Sequence, residues 1–329
     1  MMQPVSAVEA TIFRAANALL SASWRGSSLL ILTYHRVLPT TDDLHPGEPD
    51  AAGFAAQMGL LREMFRVLPL EEAVALRRAG KLPPRAACVT FDDGYANNFE
   101  VARPILRAHG LRATFFVAAG FLDGGMMWND TIIEAIRSAP ERLDLSALGL
   151  GTHILVDAES RRRAIAQILD ALKYLVIEDR ARMTEAVAAA CGGAIPRALM
   201  MSSKQVQALA ADGMEVGAHT MTHPILARLP TEAAAREITE SKRRLQELTG
   251  RPVVSFAYPN GRPRVDYTSE HVKMVRNTGF SCAVSTAWGC VHADSNEFQF
   301  PRIAPWDRST RRYLFRLART YTQRRCDVV

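Results

Sequence analysis

Along most of the chain, short unbroken apolar runs alternate with stretches whose apolar residues recur at helical spacing. LLILTY, at Leu29–Tyr34, predicts a strand buried on both faces. Phe54, Met58, Leu61 and Phe65 then mark one face of a helix. Residues 87–91 (ACVTF) predict a second buried strand, and a helix through Phe99, Ala102 and Leu106 stops at Gly110. Residues 113–118 (ATFFVA) predict a third strand. From about residue 126 to 196 the pattern is long, charged and helical, clearest in RRRAIAQILDALKYL, and reads as a helical insertion. The alternation then resumes. SSKQVQALAADG has a serine cap and a glycine stop, residues 214–218 read as a strand, and a helix runs from a Thr231 cap to Gly250. Strand, helix and strand follow in residues 253–258, SEHVKMVRNTG and SCAVST. Repeated β-α units imply a parallel sheet covered by helices, and their number favours a closed β/α barrel over an open sheet. Neither G-x-G-x-x-G nor a P-loop is present.

The polar residues then change the picture. His35 follows the first strand, Asp92 and Asp93 the second, His219 and His223 the strand at 214–218, and Tyr258-Pro259-Asn260-Gly261 another. Each group lies at the C-terminal end of its strand, and in a β/α barrel those ends converge on the catalytic face. Taken singly, Asp-Asp-Gly and Tyr-Pro-Asn-Gly are turns, H-x-x-x-H is a chance pairing, and a lone histidine belongs to the core. On one rim together they form a site. Two imidazoles and one carboxylate supply three protein ligands and leave a position for water, as catalytic zinc requires. The second carboxylate could take that water's proton. Spacing leaves open which aspartate does which. A glycosidase pair is excluded, because its carboxylates must flank the scissile bond ~5 Å or more apart, and the histidines would be unexplained.

Composition adds little to the fold but something to partners. The 329 residues are 48% hydrophobic and 22% charged, enough apolar content for a large core. The net charge of +6 is uneven: residues 308–325 hold Arg308, Arg311, Arg312, Arg316, Arg319, Arg324 and Arg325. Residues 304–329 are therefore expected to form a basic C-terminal helix or tail. Residues 1–28 resemble a short amphipathic helix, with Val8, Ile12, Ala15, Ala16 and Leu19 at helical spacing. Packing on the domain is the default for both ends; contact with an anionic membrane surface is the sharper alternative. No nucleic-acid partner is expected. Five cysteines without a C-x-x-C pair argue against a disulfide framework. The first residues make a poor signal peptide, and no run is long enough to span a membrane. A cytoplasmic protein, peripheral at the inner membrane face, is the expectation.

TFDDG (Thr90 to Gly94) and HTMTH (His219 to His223) resemble the first two motifs of the polysaccharide deacetylases, carbohydrate esterases with a NodB-homology domain. FAYPNG (Phe256 to Gly261) looks like the third motif of one branch, LTYHRV its N-terminal strand and FPRI its closing segment. The resemblance spans residues 29–303, apart from the insertion. It implies a distorted (β/α) barrel and metal-dependent removal of N- or O-acetyl groups from a glycan or a lipid-linked glycan precursor. A catalytically silent carbohydrate-binding relative is the alternative. Carried over, Asp92 is the general base, and Asp93 joins His219 and His223 on one divalent ion, with zinc expected. Tyr258 offers its backbone N–H to the oxyanion. Relatives carry an arginine in the third motif that orients the base; FAYPNG has none, so Arg302 of FPRI is the candidate substitute. Many also carry a Leu-x-x-His that supplies the general acid, and none follows Phe280. His35 is favoured for that role over His292. Tyr95, Pro259, Asn260 and His292 are the expected substrate contacts.

Overall fold

A computed structural model describes residues 28–192, 199–321, 323 and 326–329. The amphipathic helix expected in residues 1–28 lies, Ser28 aside, outside the described residues, as do Arg324 and Arg325.

The buried runs become strands because no face of them tolerates water. β1 (Leu29–Tyr34) and β3 (Ala86–Phe91) are buried at every residue, and pair in parallel from Leu29 opposite Ala86 to Tyr34 opposite Phe91. Between them come α1 (Ala51–Met64), the short β2 (Arg66–Val67) and α2 (Leu70–Arg78). Asp50 caps α1 by accepting from the Gly53 amide. α3 (Arg103–Ala108) follows a single wide turn at Asn98–Ala102 and leads to β4 (Thr114–Val117). After the insertion come α7 (Ser203–Ala211), β7 (Glu215–Ala218), α8 (Thr231–Thr249), β8 (Ser255–Ala257), α9 (Ser269–Asn277), β9 (Cys282–Trp288), β10 (Phe300–Arg302) and α10 (Thr310–Tyr321). Ser202 and Gln205 make a reciprocal capping box at α7. At α8 the cap is Pro230 rather than Thr231, which is the first helical residue.

The sheet runs β1-β3-β4-β7-β8-β9-β10, with every pair parallel and β2 added to β3. A bridge from Ile303 to Leu32 brings the last strand back to the first, so the barrel is nearly closed. The strands are apolar on both faces: outward, Phe91 stacks on Phe115 at 4.8 Å and Tyr34 packs on Phe54 of α1 and on Phe91, while the alternate residues Leu29, Ile31, Cys88, Phe116, Val284 and Phe300 form a separate cluster.

The insertion holds α4 (Trp128–Ser138), an antiparallel pair β5 (Arg142–Asp144) and β6 (Thr152–Ile154), α5 (Ala158–Lys173) and α6 (Ile177–Cys191). The hairpin was not expected from the pattern; its strands are too short to show an alternation. These helices bury a core of their own, including Ile132, Ile136, Leu143, Ile165, Ile168, Leu172 and Val187. The five cysteines are all free thiols, four of them buried. Among the described residues, no helix is long and apolar enough to cross a membrane.

Candidate active site

The strand ends converge on a cleft of about 540 Å³, lined by His35, Asp92, Asp93, His219, His223 and Asn260, with one wall from the insertion. Asp92 and Asp93, consecutive residues, both line the cleft because the chain turns sharply after β3. Asp93 has φ 74° and Gly94 φ 92°, and a Cβ on Gly94 would meet Val117 Cγ1 at 3.1 Å. Thr220 (63°), His223 (53°) and Asn260 (57°) also take left-handed backbone around the same cleft. Such conformations cost of order 1–2 kcal/mol each in a non-glycine residue, and their clustering marks a site that geometry was built to serve.

Asp93 Oδ1 lies 3.4 Å from both His219 Nε2 and His223 Nε2, too far for strong hydrogen bonds. It is buried and accepts no hydrogen bond. The three ligand atoms lie within 4.8 Å of one another. His219 Nδ1 donates to the Ala257 carbonyl at 2.7 Å, which leaves the Nε2 lone pair facing Asp93. Burial, together with the neighbouring imidazole of His219, pushes His223 down to about 4, so its neutral, ligating form prevails at neutral pH. An orphaned buried carboxylate oxygen between two imidazole lone pairs fits a divalent cation, and the nitrogen and oxygen donors suit zinc. H-x-x-x-H here is a tight loop rather than a helical turn. Glu237 of α8 pins that loop, accepting from the Met221 and Thr222 amides at 2.8 and 2.9 Å and from the Thr222 hydroxyl at 2.8 Å. Glu237 is thus a positioning residue that nothing in the pattern of α8 marks. Glu237→Ala is expected to weaken metal affinity about tenfold or more, read by competition with a chelating dye, while chain folding persists.

Arg302 meets Asp92 as a fork on a fork: Nη1 to Oδ1 and Nη2 to Oδ2, both 2.7 Å. Its Nε donates to the Ser285 carbonyl and its Nη1 also to Thr90 Oγ1. Burial alone would raise the Asp92 carboxyl; the Arg302 guanidinium outweighs it and holds the group below the usual carboxylate range. Asp92 is therefore ionised, as a base must be. The arginine missing from the third motif is replaced in space by one from β10.

His35 lies on the cleft at the end of β1. Burial works to lower its pKa, but the charges of Asp93, Asp92 and Glu48 outweigh it and hold the imidazole above its ordinary value. His292 is elsewhere, which corrects the expectation that it contacts substrate. It follows Val291, which bridges Leu29 at the start of β1, and its ring bonds Ser28 Oγ and the Gln323 carbonyl at 3.1 and 2.7 Å. The loop that carries it turns down to the opposite end of the barrel.

Tyr258 also departs from expectation. Its N–H donates to the Val284 carbonyl at 3.2 Å, its ring is fully buried on Tyr267 at 3.9 Å, and its hydroxyl donates to the Phe298 carbonyl. A sheet hydrogen bond occupies the amide assigned to the oxyanion. Two residues on, Asn260 lines the cleft, and its N–H makes no hydrogen bond among the described residues. Pro259 is buried and shapes that turn, its carbonyl accepting from Gly261. Tyr95 does line the cleft, donating its hydroxyl to the Asp130 carboxylate at 3.0 Å beneath the Arg36 guanidinium. Asp130, on α4, is 2% exposed and is pushed up to about 7, burial and Asp93 outweighing Arg36. It escaped the sequence reading because an aspartate in a helical insertion carries no signal until the insertion folds over the rim.

The polysaccharide deacetylase family profile matches residues 79–147 and 151–283. Among curated proteins, YxkH of Bacillus subtilis (strain 168), which carries the polysaccharide deacetylase name, is 20% identical over 279 residues, 84% of this chain and 71% of its own. Two solved structures share the fold. The deacetylase PplD of Streptococcus pyogenes, in complex with acetate, has a TM-score of 0.60 at 18% identity, covering 90% of this chain and 99% of its own. IcaB of Ammonifex degensii has 0.57 at 21%, covering 91% and 98%. With the profile spanning both motif segments and the barrel matched almost end to end, this chain belongs to the polysaccharide deacetylase family, hydrolases that act on carbon–nitrogen bonds.

Proposed function

We propose that this enzyme deacetylates N-acetylated sugars of a glycan or a glycan precursor, with a divalent ion, zinc, held by Asp93, His219 and His223. The observation that carries the reading is the pairing of an ionised, Arg302-clamped Asp92 with the adjacent orphaned Asp93 oxygen between two imidazoles. When bound, such an ion polarises the acetyl carbonyl and acidifies a water. Asp92 takes the proton of the attacking water, and Arg302 holds its carboxylate in place. The Asn260 N–H, in place of that of Tyr258, faces the developing oxyanion, a contribution of about 3 kcal/mol where geometry is good. His35 returns a proton to the departing amine. A purely carbohydrate-binding role would have no use for the Asp92–Arg302 pair.

Acetate release from a panel of N- and O-acetylated glycans, with and without chelator and after zinc is restored, tests this. Release that chelator leaves untouched removes the metal; glycan binding with no release from any substrate leaves the silent-relative reading. For His35→Ala the expectation is a kcat lowered ~10²-fold with metal content kept. Normal turnover would move the acid elsewhere, Asp130 being the next group on the cleft.

The location is proposed as cytoplasmic, on a lipid-linked precursor at the membrane face. Support comes from the unpaired cysteines, which suit a reducing compartment, and from α10. That helix buries Tyr313, Leu314 and Leu317 and turns Arg311, Arg312, Phe315 and Arg319 outward, near the exposed Trp306. Arginines interleaved with exposed aromatics suit an anionic interface, about 1 kcal/mol per basic residue. Fractionation with a salt wash tests it: protein outside the cytoplasmic compartment refutes the location, and solubility indifferent to salt removes the membrane contact.

A further inference from the structure

Three helix ends of the insertion meet at the cleft: Trp128 opens α4, Lys173 closes α5, and Arg180 lies in the first turn of α6. Arg180 is 7% exposed. Its guanidinium lies over the Trp128 ring at 5.0 Å, and its single side-chain hydrogen bond among the described residues runs from Nη1 to the Lys173 carbonyl at 3.4 Å. Among the described residues no carboxylate comes within ion-pair distance of it, and burial is the sole influence on its titration, a lowering.

Such a group is out of keeping with the rest of the site. A guanidinium has five N–H donors to satisfy, and this one, on the cleft lining, makes one hydrogen bond and no ion pair among the described residues. The barrel carboxylates on the cleft are all engaged elsewhere. Asp92 is clamped by Arg302, Asp93 faces the imidazoles, and Glu48 accepts from the Arg36 amide. Asp130 is taken by Tyr95. Asp170 lies on the same wall beyond ion-pair distance of Lys173 and Arg180. The positive charge continues outward. Arg228 lies over the Tyr174 ring at 5.4 Å beside the Lys173 ammonium, and Arg262, itself paired with Asp266 at 3.5 Å, donates to the Tyr174 hydroxyl at 2.6 Å. The insertion's own packed core holds these ends still, so the fork is set before a ligand arrives. Stacking on Trp128 leaves the edge of the guanidinium for a planar or tetrahedral oxyanion.

We infer that Arg180, with Lys173, receives an anionic group, a carboxylate or phosphate, on the substrate next to the acetylated sugar, so that the enzyme selects acidic over neutral acetylated glycans. The inference rests on the deacetylase reading for the identity of the ligand as a glycan, and it names the substrate's charge, which that reading leaves open.

The test separates binding from turnover by using the full chain with Asp92→Asn, titrated calorimetrically at low salt. The probes are chitotetraose, which is neutral; a hyaluronan tetrasaccharide, with glucuronate beside N-acetylglucosamine; and chitobiose phosphate. At least one acidic probe is expected to bind about tenfold or more tighter than chitotetraose, which one showing whether the anion is carboxylate or phosphate. Arg180→Gln should bring that ratio to about one, Arg180→Lys should restore part of it, and Lys173→Gln should lower it several-fold, on the scale of a charge-assisted hydrogen bond. Equal binding of all three probes by the parent protein overturns the inference. So does a preference that survives in folded Lys173→Gln and Arg180→Gln proteins. Lys173 is a half-buried helix end, so its variant decides the matter should Arg180→Gln fail to fold. Absence of acetate release by the parent enzyme, with the acidic preference intact, would instead sink the reaction and leave the receptor.

Discussion

Metal and activity are expected to vanish together in His219→Ala, His223→Ala and Asp93→Asn, whereas Asp92→Asn keeps the metal and loses turnover. The three ligand atoms lie within 4.8 Å of one another, and among the described residues no fourth His, Cys, Asp or Glu joins the group. Losing any one leaves two donors, too few to hold zinc against water, and with the ion go the polarised carbonyl and the acidified water. Those are worth several kcal/mol of transition-state stabilisation, so activity should fall ~10³-fold or more. Asp92 touches no ligand atom but is fixed by Arg302. Its amide variant should cost ~10²-fold or more in kcat while metal analysis still returns about one ion per chain. Full occupancy in all three ligand variants would dismantle the site. Metal lost from Asp92→Asn and kept by Asp93→Asn would exchange the two aspartates' roles.

Arg302→Met should damage stability and catalysis at once, and the two by different routes. The guanidinium is 2% exposed and answers both oxygens of a carboxylate that is 3% exposed. Removing it strands a buried charge, which costs about 3–5 kcal/mol at neutral pH. Here the sign of the pH dependence is informative. In the parent, Asp92 is held below the usual range, so its contribution is present above the unfolded value near 4 and is lost as pH falls below it. In Arg302→Met, burial is opposed only by the neighbouring His219 and His35, and the folded-state pKa is expected to rise above the unfolded value. The variant's deficit is therefore largest at neutral pH and shrinks as pH falls through the raised pKa. Urea unfolding at pH 7 and pH 5 measures it, and the acid limb of the kcat/KM profile should move to higher pH in step. The double variant Asp92→Asn, Arg302→Met should recover much of the lost stability and none of the activity. A deficit independent of pH would mean that Arg302 serves only to pack β10 against β9.

Much of this was legible along the chain because two signals are local. Short, nearly unbroken apolar runs such as LLILTY, too brief for a helix, read as strands buried on both faces, and Gly94, at φ 92°, is needed where the chain leaves β3. Chemistry confined to strand ends was legible too, since a β/α barrel brings those ends together whatever the intervening length. That placed His35, Asp92, Asp93, His219, His223 and Asn260 on one cleft.

Tertiary structure decided what depends on direction and on distant partners. Spacing could not show that the Tyr258 amide would be spent on Val284 and the Asn260 amide left without a partner among the described residues; that follows from where β8 stops pairing with β9. Nor could it show that His292, near in sequence to the last strands, turns down to the start of β1. Arg302 stood apart from Asp92 by 210 residues until barrel closure brought β10 beside β1. Asp130, Glu237 and Arg180 sit in helices whose patterns speak only of their own buried faces, and they acquire meaning from the rim on which those helices land. Periodicity records which face of an element avoids water, a property of neighbours in sequence; the pairing of a charge with its counter-charge is a property of neighbours in space, and only the folded barrel sets it.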